Sequence, residues 1–476
     1  MAEETPVAHI ADNNPPSTEQ PHPKPDPSLA FDEERQKGGS DSGKSTAFIQ
    51  PAVSFKEESN LVSDLSDSER LALDELRTIL RQAIDNNTLI SPHPIEPKTE
   101  EKEKEKGENE DENRTPVEAF RRTPSGQVSI WGIPLLEDDR SDVVLLKFLR
   151  ARDFRVKDAF EMIGRTISWR VKFGVDDMVQ GDEDQRARDE HSMEKVVFMH
   201  GHDREGHPVC YNVYGEFRDR DLYERTFSDE EKRRRFLKWR IRFLERNVRK
   251  LDFGPGGVNT LVQVNDLKGA PGPGRTELRI ATRQALLLLQ DNYPEFVAKQ
   301  VFINVPWWYI AFYAMLSPFM TQRTKSKFVF AGPARTADTL FKYISPEQVP
   351  IQYGGLSVDS CDCNPEFTMD DPATEVTIKP TTKQFVEILV SERCIIVWEL
   401  RVVGWEVTYG AEFVPSSKDG YTVIIQKAKK MRPSDDPVIS SRYKISEVGK
   451  IVLTIDNPSF KKRKLLYRYK VLPYTD

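Results

Sequence analysis

What most constrains this chain is an alternation. Between Lys195 and Pro350, β-like runs at Lys195–Met199, Val209–Tyr214, Thr260–Asn265, Val301–Val305 and Lys327–Phe330 are separated by helical stretches. Those stretches are Asp229–Leu251, Glu277–Gln290, Trp308–Met320 and Thr336–Tyr343. A strand followed by a helix before the next strand favours parallel pairing, with helices covering the sheet. After Gly354-Gly355 the helical signal ends. Runs at Thr374–Ile378, Gln384–Leu389, Cys394–Val403, Glu406–Phe413, Tyr421–Gln426, Lys450–Ile455 and Leu465–Tyr469 are short and separated by turn residues. That is the pattern of a β-sandwich.

Ahead of the alternation, Asp142–Phe154 and Val156–Phe173 predict a small helical cap. Residues 1–60 are rich in Pro, Ser, Asn and charge, with too little apolar surface to offset the entropy of ordering. Ser66-x-x-Glu69 is a capping box that opens an amphipathic stretch carrying Leu71, Leu73, Leu76, Ile79, Leu80 and Ile84. Residues 96–113 return to charged low complexity. The chain thus divides into a disordered acidic tail with one short amphipathic helix (1–114), a helical cap (115–190), an α/β domain (191–356) and an all-β sandwich (357–476).

Charge follows the same division. Residues 1–120 carry −14 and the remainder +7, for −7 in total. An acidic tail before a basic body points to an anionic partner for the body, membrane or nucleic acid. Four cysteines in 476 residues are too few for a disulfide framework. The N-terminus lacks the basic and apolar regions of a secretory signal. The longest apolar run, Trp307–Leu316, is far short of the about 20 residues that cross a bilayer. The expectation is a cytoplasmic protein that meets membranes peripherally.

No arrangement of nucleophile, base and orienting group stands out, so no catalytic residues are assigned. His200, His202 and His207 in HGHDREGH flank a strand–turn–strand segment whose alternation sends them to different faces, and no metal site is assigned. Cys361-x-Cys363 lacks a second pair, and Pro271-Gly272-Pro273-Gly274 lacks the Lys-Ser/Thr of a phosphate loop. Lys232–Lys250 is a basic helix with an apolar side at Phe236, Trp239, Phe243 and Val248. It suits ordinary packing first, a membrane surface second and nucleic acid last.

Several segments resemble one family in order. VVLLKFLRARDFRVKDAFEMIGRTISWRVKFG (143–174) is similar to the helical lead-in of the CRAL-TRIO lipid-transfer family. GHDREGHPVCYNVYG (201–215) resembles its first hairpin, and VQVNDLKG (262–269) its Asp-Leu-Lys-Gly strand. Residues 291–332 and Val349–Gly355 resemble its most diagnostic segments. Ile395–Trp405 and GKIVLTIDNPSF (449–460) resemble a GOLD domain. Acidic tail, CRAL-TRIO and GOLD in this order resemble the plant patellin family.

The resemblance implies phosphoinositide or phospholipid binding, lipid transfer without enzymatic activity, and a role in membrane trafficking, including the forming cell plate. The bound phospholipid would be ligand, with no cofactor and no nucleic-acid partner. It also implies a mobile gate over an acyl cavity at Trp307, Trp308, Tyr309, Phe312, Tyr313, Leu316, Phe319 and Met320. The headgroup positions would be Arg152, Thr324 and Lys327, since phosphates take charge-assisted donors. Asp153 stands where relatives often carry a second basic residue. Lys461, Lys462, Arg463 and Lys464 form a basic cluster suited to an anionic membrane surface. A second reading makes the chain an adaptor whose sandwich binds trafficking proteins.

Overall fold

The computed structural model describes residues 58–89, 128–180, 193–272, 274–306, 309, 322–358, 366–404 and 406–474. Its first helix is α1 (Asp67–Asp85). The Ser66 hydroxyl accepts from the Glu69 amide, and the Glu69 carboxylate accepts from the Ser66 amide. Two donors that the first turn would orphan are thereby satisfied. Leu73, Leu76 and Leu80 form one helical stripe and are fully buried, in the same core as Val143 and Phe148. Arg77 Nε donates to Asp142 at 2.9 Å. From sequence this helix belongs to the acidic tail, 1–114. The structure makes it part of the cap, because a complete leucine stripe needs an apolar partner.

Strands β1 (Ser129–Ile130) and β2 (Ile133–Pro134) form a small hairpin around Trp131. The indole stacks on Phe148 at 5.6 Å and meets the edge of Phe296 at 4.5 Å. Helices α2 (Asp139–Ala151), α3 (Val156–Phe173) and α4 (Val175–Gln180) complete the cap. Gly174, at φ +69°, ends α3 in a left-handed conformation that a side chain would strain.

The α/β domain then runs β3 (Val197–His202), β4 (Pro208–Val213), α5 (Arg220–Phe227), α6 (Glu230–Val248), β5 (Leu261–Asp266), α7 (Thr276–Asn292), β6 (Val297–Ile303), α8 (Gln322–Lys327), β7 (Phe328–Phe330) and α9 (Thr336–Leu340). The five strands lie in chain order, β3 and β4 antiparallel and the rest parallel. Alternation gives the sheet two unlike faces. Val209, Tyr211, Val262, Val264, Val301 and Ile303 fill one face and pack with Leu340, Phe341 and Ile344. The intervening residues face α5, α6 and α7. Cap and domain are locked by a buried ion pair: Arg170 donates to Glu245 at 2.6 and 3.0 Å, and Tyr293 and Arg249 bond the same carboxylate.

The sandwich comprises β8 (Thr374–Ile378), β9 (Thr382–Val390), β10 (Cys394–Val403), β11 (Thr408–Pro415), β12 (Val423–Lys430), β13 (Ile439–Ile445), β14 (Gly449–Asn457) and β15 (Arg463–Pro473). They form antiparallel sheets of order β13-β10-β15-β8 and β12-β11-β14-β9. Trp398, Phe413, Ile451 and Ile455 fill the space between, and Trp398 Nε1 donates to the Tyr409 hydroxyl at 3.0 Å.

The seam with the α/β domain is specific. Arg401 Nη1 donates to the carbonyls of Ile351 and Gly355, both at 2.6 Å. Burial pushes this guanidinium down to about 10, still protonated at neutral pH. Leu466 joins the packed face of the α/β sheet. A Cβ at Gly355 would stand 2.0 Å from the Val349 carbonyl oxygen, so only glycine fits this turn.

Candidate functional site

Among the described residues, part of the second face of the α/β sheet is not filled. Asn212 on β4, Gln263 and Asn265 on β5, and Gln300 and Phe302 on β6 floor a cavity of about 230 Å³. Its walls are Phe217, Phe227, Phe236, Leu278, Ala281 and Leu289 from the helices and the segment leading into them, with Tyr309 at one side. A parallel sheet covered on both faces normally reads as continuous Val, Ile and Leu. Here Cys210 and Leu261 pack into core at one end of this face, while Asn212, Gln263, Asn265 and Gln300 put amides where it meets the cavity.

Helix α7 closes the cavity incompletely. Leu286 lines it and is 61% exposed, and Ile280 and Leu287 beside it are also exposed. An apolar group left in water next to an apolar cavity marks where a hydrophobic guest enters. Tyr309 packs on Phe302 at 5.5 Å, and burial pushes its phenol well above the ordinary range. Of the residues assigned from sequence to the gate, Tyr309 is thus at the cavity. Trp307, Trp308, Phe312, Tyr313, Leu316, Phe319 and Met320 lie outside the described residues.

The headgroup positions fall elsewhere. Lys327 ends α8, and its ammonium donates to Glu295 at 2.9 Å. Glu295 is held at φ +53°, and its carbonyl accepts from Lys147, a buried residue of α2. Arg152 follows at the end of α2, half-buried, beside Asp153 and Phe154, both at positive φ. Thr324 lies within α8, with its side chain outside the described part. The structure therefore joins Lys327 to α2 through Glu295, a residue the sequence reading missed.

The basic cluster of the sandwich splits in two. Lys461 and Lys462 are exposed on the turn after β14. Arg463 and Lys464 start β15 instead. Lys464 bonds Glu375 at 2.5 Å and Asp338 of the α/β domain at 3.2 Å, and Arg463 approaches Glu406 at 3.8 Å. Fully buried Asn457 holds the turn by donating to the carbonyls of Lys379 and Lys461. Phe460 stands out from it, 91% exposed.

The histidines separate as well. His200 bonds the Ser357 hydroxyl at 2.8 Å, and His207 lies 3.0 Å from Asp203 within the hairpin turn. No helix among the described residues is long and apolar enough to cross a membrane.

A partly parallel sheet with one face withdrawn from packing, under a helical cap and keyed to an antiparallel sandwich, defines a CRAL-TRIO lipid-binding protein with a GOLD domain. Residues 192–355 match the CRAL/TRIO domain, 72–164 its N-terminal domain, and 379–464 the patellin-1-like C-terminal GOLD domain. The chain belongs to the patellin family. It is 59% identical to Patellin-3 of Arabidopsis thaliana over 430 residues, 90% of this chain and 80% of that one. It is 58% identical to Patellin-5 of the same plant over 420 residues, 88% of this chain and 56% of the relative. The Sec14 cytosolic factor of Schizosaccharomyces pombe is 28% identical over 225 residues, covering 47% of this chain and 76% of that protein. The match to the N-terminal domain begins inside α1.

Proposed function

We propose that this chain is a non-enzymatic carrier that takes a phospholipid, selectively a phosphoinositide, into the α/β domain and works at the cytoplasmic face of membranes during trafficking, including cell-plate formation. One observation carries the reading: the unfilled sheet face, where amides replace the core residues that a merely structural sheet would present. At about 230 Å³ the cavity lies below the about 300–1,000 Å³ of drug-sized sites, so a two-tailed lipid widens it on entry. Family membership and the exposed leucines of α7 support the same reading. The basic pair Lys461 and Lys462 suits an anionic leaflet, at roughly 1 kcal/mol for each near-surface charge.

The experiment is to incubate the purified chain with vesicles containing phosphatidylinositol, its phosphates and phosphatidylcholine, re-isolate it, and identify the retained lipid by mass spectrometry. Retention of about one lipid per chain, enriched in the inositol lipids, is expected. Protein that returns without lipid overturns the reading. Lys327→Ala should reduce the enrichment and lower the melting temperature modestly, because half-buried Glu295 loses this ion pair.

A further inference from the structure

Arg240 is the one charged side chain among the described residues lining the cavity. It projects from α6 between Phe236 and Phe243, one turn to either side. Its Nη2 donates to the Asn212 side-chain oxygen at 3.0 Å, and the Asn212 amide donates to Asn265 at 3.2 Å. Its Nη1 is buried with no hydrogen-bond partner. The guanidinium carbon lies 5.6 Å from the centre of the Phe243 ring.

Among the described residues no carboxylate pairs with Arg240, whereas Arg170, Arg468 and Lys327 each have one. Burial pushes up both the Cys210 thiol and the Tyr214 phenol, which lie against it, so both stay neutral at physiological pH. A guanidinium is always protonated. Arg240 is half-buried, and its shielded Nη1 donor, left without a partner or a counter-charge, is costly unless a ligand meets it.

We propose that Arg240, with Asn212 and Asn265, is an anion-holding subsite on the floor of the cavity, taking the phosphate or carboxylate of an amphiphile whose tail lies along the aromatic walls. The inference rests on the carrier function above and narrows its ligand. The acidic group enters the cavity, and a cationic choline group is repelled from this end. Phosphate or carboxylate oxygens accept from Nη1, a stronger pairing than the neutral Cys210 thiol beside the guanidinium offers.

The test uses four probes on the full chain: dodecyl phosphate, dodecanoic acid, dodecanol and inorganic phosphate, followed by calorimetry and by competition with a fluorescent fatty acid. Dodecyl phosphate or dodecanoic acid should bind at least tenfold more tightly than dodecanol. R240Q should bring the affinity of the acid down to that of dodecanol measured in the same variant. Competition by inorganic phosphate at millimolar concentration would assign the subsite to the free anion as well as to an amphiphile. Equal binding of acid and alcohol to the parent chain overturns the proposal, and this comparison needs no variant that must fold. An acid preference that survives in R240Q overturns it too. If no amphiphile enters, the carrier reading itself falls, a different result from entry without acid preference.

Discussion

Arg468 in the sandwich is buried and Arg240 in the α/β domain is half-buried, and their surroundings are opposite. Arg468 donates to Glu399 at 2.8 Å and to the carbonyls of Thr368 and Asp371. Its donors are satisfied by the chain itself, on the outer face of β10, where the guanidinium lies against Phe367. Arg240 has one amide oxygen and a void. The same residue type closes a structure in one domain and leaves it open in the other. The proposed lipid site lies where packing and hydrogen bonding stop short.

The broadest challenge to this contrast concerns where the filled region begins. Removing residues 1–47 should leave the melting temperature unchanged. A chain starting at Thr115 also lacks α1 and exposes the surface against which Leu73, Leu76 and Leu80 pack. At about 1.5–3 kcal/mol for each buried leucine, the loss is on the order of 5 kcal/mol. Aggregation or a drop of ten degrees or more should follow. Equal melting of the two truncations would return α1 to the tail.

Glu399→Ala should cost about 3–5 kcal/mol, because Arg468 is then buried without its carboxylate. Arg240→Gln should change stability by less than about 1 kcal/mol, since no ion pair is broken. Chemical denaturation of both variants measures the pair, and similar losses would erase the distinction between the two arginines.

A matched enlargement sharpens the contrast further. Ala411 lies in the sandwich core and Ala285 on the cavity wall. Ala411→Phe should destabilise by about 1–3 kcal/mol through overpacking. Ala285→Phe has space to occupy and should melt near the parent while losing retained lipid. Normal lipid retention in that variant would mean that the guest lies elsewhere.

The smallest stability effect is expected at the exposed turn. Changing Lys461 and Lys462 to Gln should alter stability by less than about 0.5 kcal/mol. It should also weaken binding to anionic vesicles and flatten its salt dependence, as screened surface charges do. An unchanged salt slope would remove this turn from the membrane contact.

Most elements are legible in the sequence because their periods are clean. Thr374–Ile378 and Cys394–Val403 match their strands end for end. Strand β13 escapes because Ile439–Ile445 alternates through Ser, Arg and Lys at a sheet edge, where only one flank is paired. The cavity floor carries a readable signal that a propensity reading passes over. Gln263 and Asn265 interrupt a strand that should be apolar throughout if both of its faces met core. Arg240 is harder. It is one of many cations in α6, and only the helical phase that sets it between Phe236 and Phe243 marks it as inward. Glu295 gives no signal in isolation, because its pairing with Lys327 bridges elements that only the folded sheet brings together.

The seam at Arg401 and Gly355 has a mechanical consequence. The Arg401 guanidinium grips two carbonyls of the turn that closes the α/β domain, and Lys464 ties Asp338 to Glu375 across the same junction. The sandwich is therefore a handle as much as a domain. If the sandwich tethers the protein to a bilayer as proposed, fixing its azimuth also aims the exposed leucine at Leu286, so the bearing of the proposed entrance is set by a domain that does not line the cavity.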